Sequence, residues 1–251
     1  MEALTSVEKA VDVLFHLHRE PGARGVTAIG RALGLPKSST HRLLTALTRR
    51  QLIERDERGH YRPGIGLVAL GVGALDREPV VVAARPVLET EAEELGETVF
   101  LVAARASNLV VLDKVEGSGF LRAAPRVGSQ VPVHATAVGK LYLAFGEGII
   151  PAPEGPLERF TDATAANPSA LDREVELASE RGFAENTDEW IPGLCVVAAP
   201  ILSALSGARM VAALAVAAPT ARMGSGRRSG VSERALAAAE RIAGRLDGME
   251  L

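Results

Sequence analysis

Two apolar stripes of helical period, set apart by a four-residue break, constrain the start of this chain more than any other feature. Ala28, Ile29, Ala32 and Leu33 form the first stripe. Leu43, Leu44 and Leu47 form the second, with Gly34-Leu35-Pro36-Lys37 between them. Thr27 stands where it can cap the first helix, and Gly34 where it can stop it in the left-handed conformation. That helix has under two turns, so packing rather than propensity has to hold it. The next helix is expected from about Ser38 to Arg50. Upstream, Thr5-Ser6-Val7-Glu8 is a capping box for a helix with Val7, Ala10, Val11, Leu14 and Leu17 on one face, ended by Pro21-Gly22. Downstream, Leu52–Arg55 and His60–Arg62 read as short strands around Asp56-Glu57-Arg58-Gly59. Three helices and a hairpin make a winged helix-turn-helix.

Charge divides the chain as clearly as pattern does. Residues 1–63 hold 11 Lys and Arg against 7 Asp and Glu, a net of +4, whereas residues 64–251 hold 17 against 24, a net of −7. Residues 24–62 carry nine basic side chains opposed only by Glu54, Asp56 and Glu57. A cationic head on an acidic body points to a polyanion as the partner of the head. With 251 residues, 47% of them apolar, the chain can bury two modest cores, which excludes disorder by composition. No run approaches 18 uninterrupted apolar residues, and no basic-then-apolar leader opens the sequence. The single Cys195 permits no internal disulfide, and five scattered histidines make no zinc pattern. We therefore expect a soluble, cytoplasmic protein without a metal site.

After the head, Gly64 to Asp76 reads as a linker helix. A helix is then expected from Val80 to Leu95, closed by Gly96, with strands at Thr98–Ala104 and Leu109–Val115 around a Ser107-Asn108 turn. A further strand is expected at Phe120–Ala124, helices near Thr136–Phe145 and Leu171–Arg181, and loop at 146–170. Apolar strands follow at Cys195–Leu205 and Met210–Ala217. A basic loop, Arg222–Gly230, leads to a last helix capped by Ser232. Antiparallel strands flanked by helices make this part α+β.

A recognition helix presents small or cationic donors at its N-terminal end, where it enters the major groove and its dipole favours phosphate. Ser38, Ser39, Thr40, His41 and Arg42 suit that place. Lys37 and the helix amides are expected on phosphates, and Thr40, His41 and Arg42 on base edges. Thr27 joins the DNA-facing set, and Arg58, His60 and Arg62 of the hairpin follow the adjacent backbone or minor groove. The same basic face would be merely solvated on a winged helix that binds protein.

The segment TAIGRALGLPKSSTHRLLTALTRRQLIERDERGHYRPGIGL resembles the DNA-binding domain of the IclR family of bacterial transcriptional regulators. The likeness continues through ARPVLETEAEELGETVFLVAA, LVVLDKVEGSGFLRAAPRVGSQVPVHATAVGK and RGFAENTDEWIPGLCVVAAPI, over about residues 5–245. It implies a winged helix-turn-helix DNA-binding domain over 1–63 and a linker helix over 64–79. Residues 80–251 become a GAF-like effector-binding and oligomerisation domain with an antiparallel sheet. It further implies homodimers or dimers of dimers, palindromic double-stranded promoter DNA as partner, a small-molecule effector and no cofactor, and repression as the usual outcome.

The resemblance also assigns an effector site. One wall is His134 and the helix start Ala137, Val138 and Gly139, whose small residues leave amides open to a carboxylate. The other wall is Glu189 and the last strands. Asn186 falls where the family commonly has an acid, Val196 where a small polar residue is common, and Ala215 and Ala217 where serines sometimes occur. Leu202 and Ser203 replace an aromatic and acidic pair. Small hydroxy or keto acids need several polar partners, each worth about 1–3 kcal/mol when buried and unpaired. Val196, Ala215 and Ala217 offer none, so a less polar effector is expected, an aromatic or branched acid held near Ala137–Gly139.

Several residues keep a second reading. Cys195 in its apolar run reads as a buried thiol, but with His134 it would make a hydrolytic dyad. Lys140 reads as an internal ion-pair partner. Trp190 stands near the pocket mouth, as core, dimer contact or stacking surface. Arg227-Arg228 is a solvated loop unless it touches DNA.

Overall fold

The computed structural model describes residues 5–20, 22, 24–119, 125–165 and 167–249. The chain divides into two compact units, Met1–Arg77 and Glu78–Leu251. In the first, helix α1 (Ser6–Arg19) opens on the expected capping box, with both reciprocal bonds between Thr5 and Glu8 in place. Its core stripe is Ala10, Val13, Leu14 and Leu17 rather than the expected set. Val7 and Val11 lie with Phe15 on a second, exposed apolar face. The helix is apolar on two sides, and spacing alone does not say which one the core takes.

Strand β1 (Arg24–Gly25) runs directly into helix α2 (Val26–Ala32), followed by helix α3 (Lys37–Arg49). Because β1 holds the backbone extended up to Gly25, α2 starts two residues early and Gly25 is its cap. Thr27 lies inside the first turn, exposed, and does not cap. Gly34 is left-handed at φ +63°, as expected. Close approach of α2 to α3 demands Gly30, where a Cβ would stand 2.9 Å from Thr40 Oγ1 and 3.0 Å from the Leu35 carbonyl oxygen. Strands β2 (Ile53–Arg55) and β3 (His60–Pro63) form the wing, and β1 adds to it in the order β1-β3-β2. The core of this unit joins Val13, Leu17, Ile29, Leu44, Leu47, Ile53 and Tyr61. Helix α4 (Ile65–Leu75) follows, with no buried residue.

The second unit is a six-stranded antiparallel sheet with a helix pair on each face. Helix α5 (Pro79–Leu95) ends on left-handed Gly96 and leads into strands β4 (Thr98–Arg105), β5 (Asn108–Val115) and β6 (Gln130–Val131). Helices α6 (Ala137–Phe145) and α7 (Pro168–Arg181) come next, then β7 (Ala184–Thr187), β8 (Leu194–Ser203), β9 (Arg209–Pro219) and helix α8 (Ser225–Asp247). The strand order is β6-β5-β4-β9-β8-β7. Side chains alternate along each strand. Phe100, Val102, Val196, Ala198, Ala215 and Ala217 enter the core shared with α6 and α7. Their neighbours Val99, Leu101, Val197, Leu214 and Val216 are buried on the opposite face, against which α5 and α8 pack. Among the described residues, no helix is long and apolar enough to cross a membrane.

Other boundaries differ from expectation for physical reasons. The β4–β5 hairpin turns at Ala106-Ser107, both at positive φ, rather than at Ser107-Asn108. Strands β1, β6 and β7 have two to four residues, too few to display an alternation. Asn167 caps α7, so that helix begins at Pro168. Residues Arg222–Gly230 are not a basic loop, since α8 already begins at Ser225. Arg227 reaches Glu97 at 2.9 Å and Arg228 reaches Glu185 at 3.4 Å, so these cations are drawn onto the domain. Ser232 is buried within α8 and donates to the Ser229 carbonyl oxygen instead of capping. The strand expected at Phe120–Ala124 lies outside the described residues.

One buried hydroxyl completes the sheet. The β4–β9 ladder pairs Thr98 with Ala217 through to Val102 with Ala213, then parts. Two pairs further along that register, Tyr142 Oη accepts from the Ala104 N–H at 3.0 Å and donates to the Val211 carbonyl oxygen at 3.4 Å. Burial pushes the Tyr142 phenol up to about 12, so it remains a donor. Tyr142→Phe leaves two backbone groups without partners and should lower stability by about 1–3 kcal/mol. Urea unfolding followed through Trp190, the only tryptophan, measures this; an unchanged midpoint would mean that water replaces the hydroxyl.

Candidate functional site

The first unit presents a basic, exposed face on α3. Lys37, Ser38, His41, Arg42, Thr45 and Arg49 are exposed, and from Ser38 onward they recur every three or four residues. Ser39 is half-buried. Thr40 is fully buried, and its hydroxyl donates to the Pro36 carbonyl oxygen at 3.0 Å, so it packs α3 on α2 and does not read bases. Thr45 and Arg49 are absent from the set expected from sequence, although they continue the stripe of His41 and Arg42. On the wing, Arg58 is exposed at the tip, His60 is half-buried beside Asp56, and Arg62 pairs with Glu54 at 3.0 Å. Lys37, Arg42, Arg49 and Arg58 have no ion-pair partner among the described residues, so their charge faces solvent.

In the second unit, the start of α6 faces a small apolar cavity of about 20 Å³. Of the residues assigned to the effector site from sequence, Ala137, Val138, Asn186 and Val196 line it. Phe100, Pro125, Val131, Thr136, Trp190 and Leu194 complete the lining. Of these the sequence alone points only to Trp190; Phe100, Val131 and Leu194 come together through strand pairing across the sheet. Ala215 and Ala217 share this face but lie buried in the core and do not line the cavity.

The first-turn amides of α6 are mostly occupied. Thr136 Oγ1 accepts from the Gly139 N–H at 3.1 Å while donating to the Pro132 carbonyl oxygen at 2.6 Å. The Ala137 N–H donates to Asn186 Oδ1 at 3.0 Å. Among the described residues, only the Val138 N–H of that turn lacks an acceptor. Gly139 is required by packing, since a Cβ there would fall 1.8 Å from the Val133 carbonyl oxygen. The open three-amide cradle expected from Ala137–Gly139 is thus reduced to the Val138 N–H and the amino group of Asn186.

His134 and Glu189 turn to other tasks. His134 Nε2 bonds the Glu158 carbonyl oxygen at 2.7 Å and its ring stacks on Phe160, which ties the chain at residues 158–160 to His134. Glu189 meets the ammonium of fully buried Lys140 at 2.8 Å, and Lys140 also donates to the Glu185 carbonyl oxygen. These groups line a separate polar pocket of about 200 Å³ with Glu174, Arg181 and Arg228. Burial pushes the Glu189 carboxyl up, against the downward pull of Lys140. The dyad of Cys195 with His134 is not assembled. Cys195 Sγ lies 3.5 Å from Thr187 Oγ1, its thiol pushed up by burial, and it alternates with Val196 to the α8 side of the sheet. Among the described residues, no cluster of three or more His, Cys, Asp or Glu stands ready for a metal ion.

Both halves of the chain match known protein-family models. Residues 6–57 match the IclR helix-turn-helix domain, and residues 72–244 match the C-terminal domain of the bacterial transcriptional regulator IclR. The chain belongs to the IclR family. The transcriptional regulator XynR of Escherichia coli is 33% identical over 230 residues, covering 89% of each chain. The IclR structure from Thermotoga maritima superposes with a TM-score of 0.82 at 26% identity, covering 96% of this chain and 98% of that one. An IclR homologue from Microbacterium hydrocarbonoxydans, solved with 4-hydroxybenzoate, gives 0.84 at 23% identity over 98% and 100%. This IclR-family chain is an HTH-type transcriptional regulator: a DNA-binding head joined to an effector domain.

The Lys140–Glu189 pair gives a test of the site's electrostatics. An acid whose folded pKa lies above its unfolded value favours the fold while protonated, and loses that contribution as pH rises through the folded value. Removing the ammonium raises Glu189 further. Lys140→Met should therefore cost about 3 kcal/mol near pH 8 and visibly less near pH 5. Adding Glu189→Gln should abolish the difference between the two pH values. Thermal unfolding at both values reads this directly, and a loss independent of pH would contradict it.

Proposed function

We propose that this regulator is a cytoplasmic homodimer that represses by holding a palindromic promoter site through two copies of α3, and that an aromatic carboxylic acid releases it. The observation that carries the DNA reading is the α3 stripe, on which Lys37, Arg42 and Arg49 have unneutralised charge beside Ser38, His41 and Thr45. Lys37 lies at the helix start, where the dipole adds to its pull on phosphate. His41 and Arg42 sit one turn in, where side chains reach base edges. Ser38 and Ser39 serve phosphate or base contacts, Arg58 the adjacent groove, and Thr27 the flanking backbone. Thr40, by its burial, leaves this set. Occupying promoter DNA excludes other proteins from it, which makes repression the default.

The dimer reading draws on apolar surface that the monomer leaves open. Val7, Val11 and Phe15 on α1 and Ile65, Val68, Leu70 and Val72 on α4 are all more than 40% exposed. Patches of that kind mark protein contacts, and a second copy would cover like with like, as a twofold requires. The same residues make α4 the mechanical element between the head and the effector domain.

The effector reading rests on the cavity beside α6. Its wall is Phe100, Val131, Leu194 and Val196, with the Val138 N–H and the Asn186 amino group as donors. A flat apolar body with one carboxylate matches that inventory, and 4-hydroxybenzoate in the Microbacterium homologue is of this class. An effector shifts operator affinity only by its preference for one arrangement of the paired heads over another.

The interface is tested by two substitutions on operator DNA. Arg42→Ala should weaken binding by about 1–3 kcal/mol and relax discrimination at one base pair. Lys37→Ala should weaken all sequences alike and reduce the salt slope by about 1. A footprint and affinity untouched by both would take α3 off the DNA.

A further inference from the structure

Trp190 is the largest side chain in the lining of the effector cavity. At about 20 Å³ the cavity holds no more than a water, whereas a cavity of about 150 Å³ accepts a benzene ring. Its other large apolar lining residues sit on strands or on α6, where pairing and packing fix them. Trp190 projects from a loop, as the smaller Pro125 does, and it is half-buried against the α6-side core. Its indole N–H has no hydrogen-bond partner among the described residues, so apolar contact alone holds the ring.

The backbone that carries the indole is pinned on both sides. Asp188 is left-handed at φ +60°, and its Oδ1 accepts from the Gly193 N–H at 2.7 Å and the Thr220 hydroxyl at 2.8 Å. The Glu189 carbonyl oxygen accepts from the Thr164 hydroxyl at 2.6 Å, and the Glu189 carboxylate is tied to Lys140. A loop so anchored stays in place while the indole turns about its own torsions.

We propose that Trp190 determines which effectors this site admits: its indole occupies the effector's place and swings outward when a planar aromatic acid enters. Ring replaces ring against Phe100 and Val196, so the ligand restores the apolar packing that the indole gives up. Non-planar or branched acids do not match the slot that a displaced indole leaves. This rests on the effector reading above.

Benzoate is the probe, and the full-length chain its own reporter, because Trp190 is the single tryptophan. Benzoate should shift the emission to the red and raise quenching by acrylamide. Calorimetry should find that Trp190→Ala binds benzoate at least tenfold tighter than the parent, with Trp190→Phe between; binding to Trp190→Ala alone would equally support the plug. Benzoate binding to the parent with unchanged emission, and equal or weaker binding by Trp190→Phe and Trp190→Ala, would make the indole a fixed wall. That result would overturn the plug and leave the cavity as the effector site. Benzoate binding to none of the three, each folded by circular dichroism, would overturn both.

Discussion

The nine-residue helix α6 is the member on which the effector domain depends, because nearly every turn of it is tied to a different element. Thr136 caps it, Gly139 lets it sit on the Val133 carbonyl, and the Ala137 N–H joins it to β7 through Asn186. Lys140 fastens it to the Glu189 loop and Tyr142 closes the gap between β4 and β9. Helices this short have little stability of their own, so these contacts define α6 rather than decorate it. Anything that enters beside its first turn therefore acts on the β7 edge, the Trp190 loop and the sheet together.

The head follows a different logic. Its helices α2 and α3 are held close by Gly30 against Thr40, and that contact turns the remaining polar residues of α3 outward as a set. Charge does the rest, because Lys37, Arg42 and Arg49 stand unpaired on the exposed stripe while Arg24 and Arg62 are neutralised by Glu20 and Glu54. In the effector domain the balance is reversed. Buried Glu91 and Glu97 gather Arg222, Arg227, Arg234 and Arg241, and so draw arginines that look free in the sequence into the α5–α8 layer.

Much of this is legible in the sequence where a local signal exists. The Thr5 capping box, Gly34, Gly96 and the wing are all written in residues a few positions apart. What is not legible depends on partners distant in the chain. Thr40 looks like a DNA contact until α2 covers it. Ala137 looks like an open amide until Asn186 accepts from it. Arg227 and Arg228 look like loop until Glu97 and Glu185 capture them. The cavity lining is the extreme case: Phe100, Val131 and Leu194 meet only because of strand order, and no local pattern marks them as neighbours.

The central claim is that occupancy of an apolar cavity in the acidic domain governs the grip of the basic head on DNA. Fluorescence anisotropy of the full chain on labelled DNA from its own upstream region, titrated with benzoate at fixed modest salt, measures that link most directly. The account predicts that the duplex is released over the same benzoate concentrations that fill the cavity, while an unrelated duplex is bound weakly throughout. Equal binding to both duplexes, or a grip unaltered with the cavity filled, would contradict it.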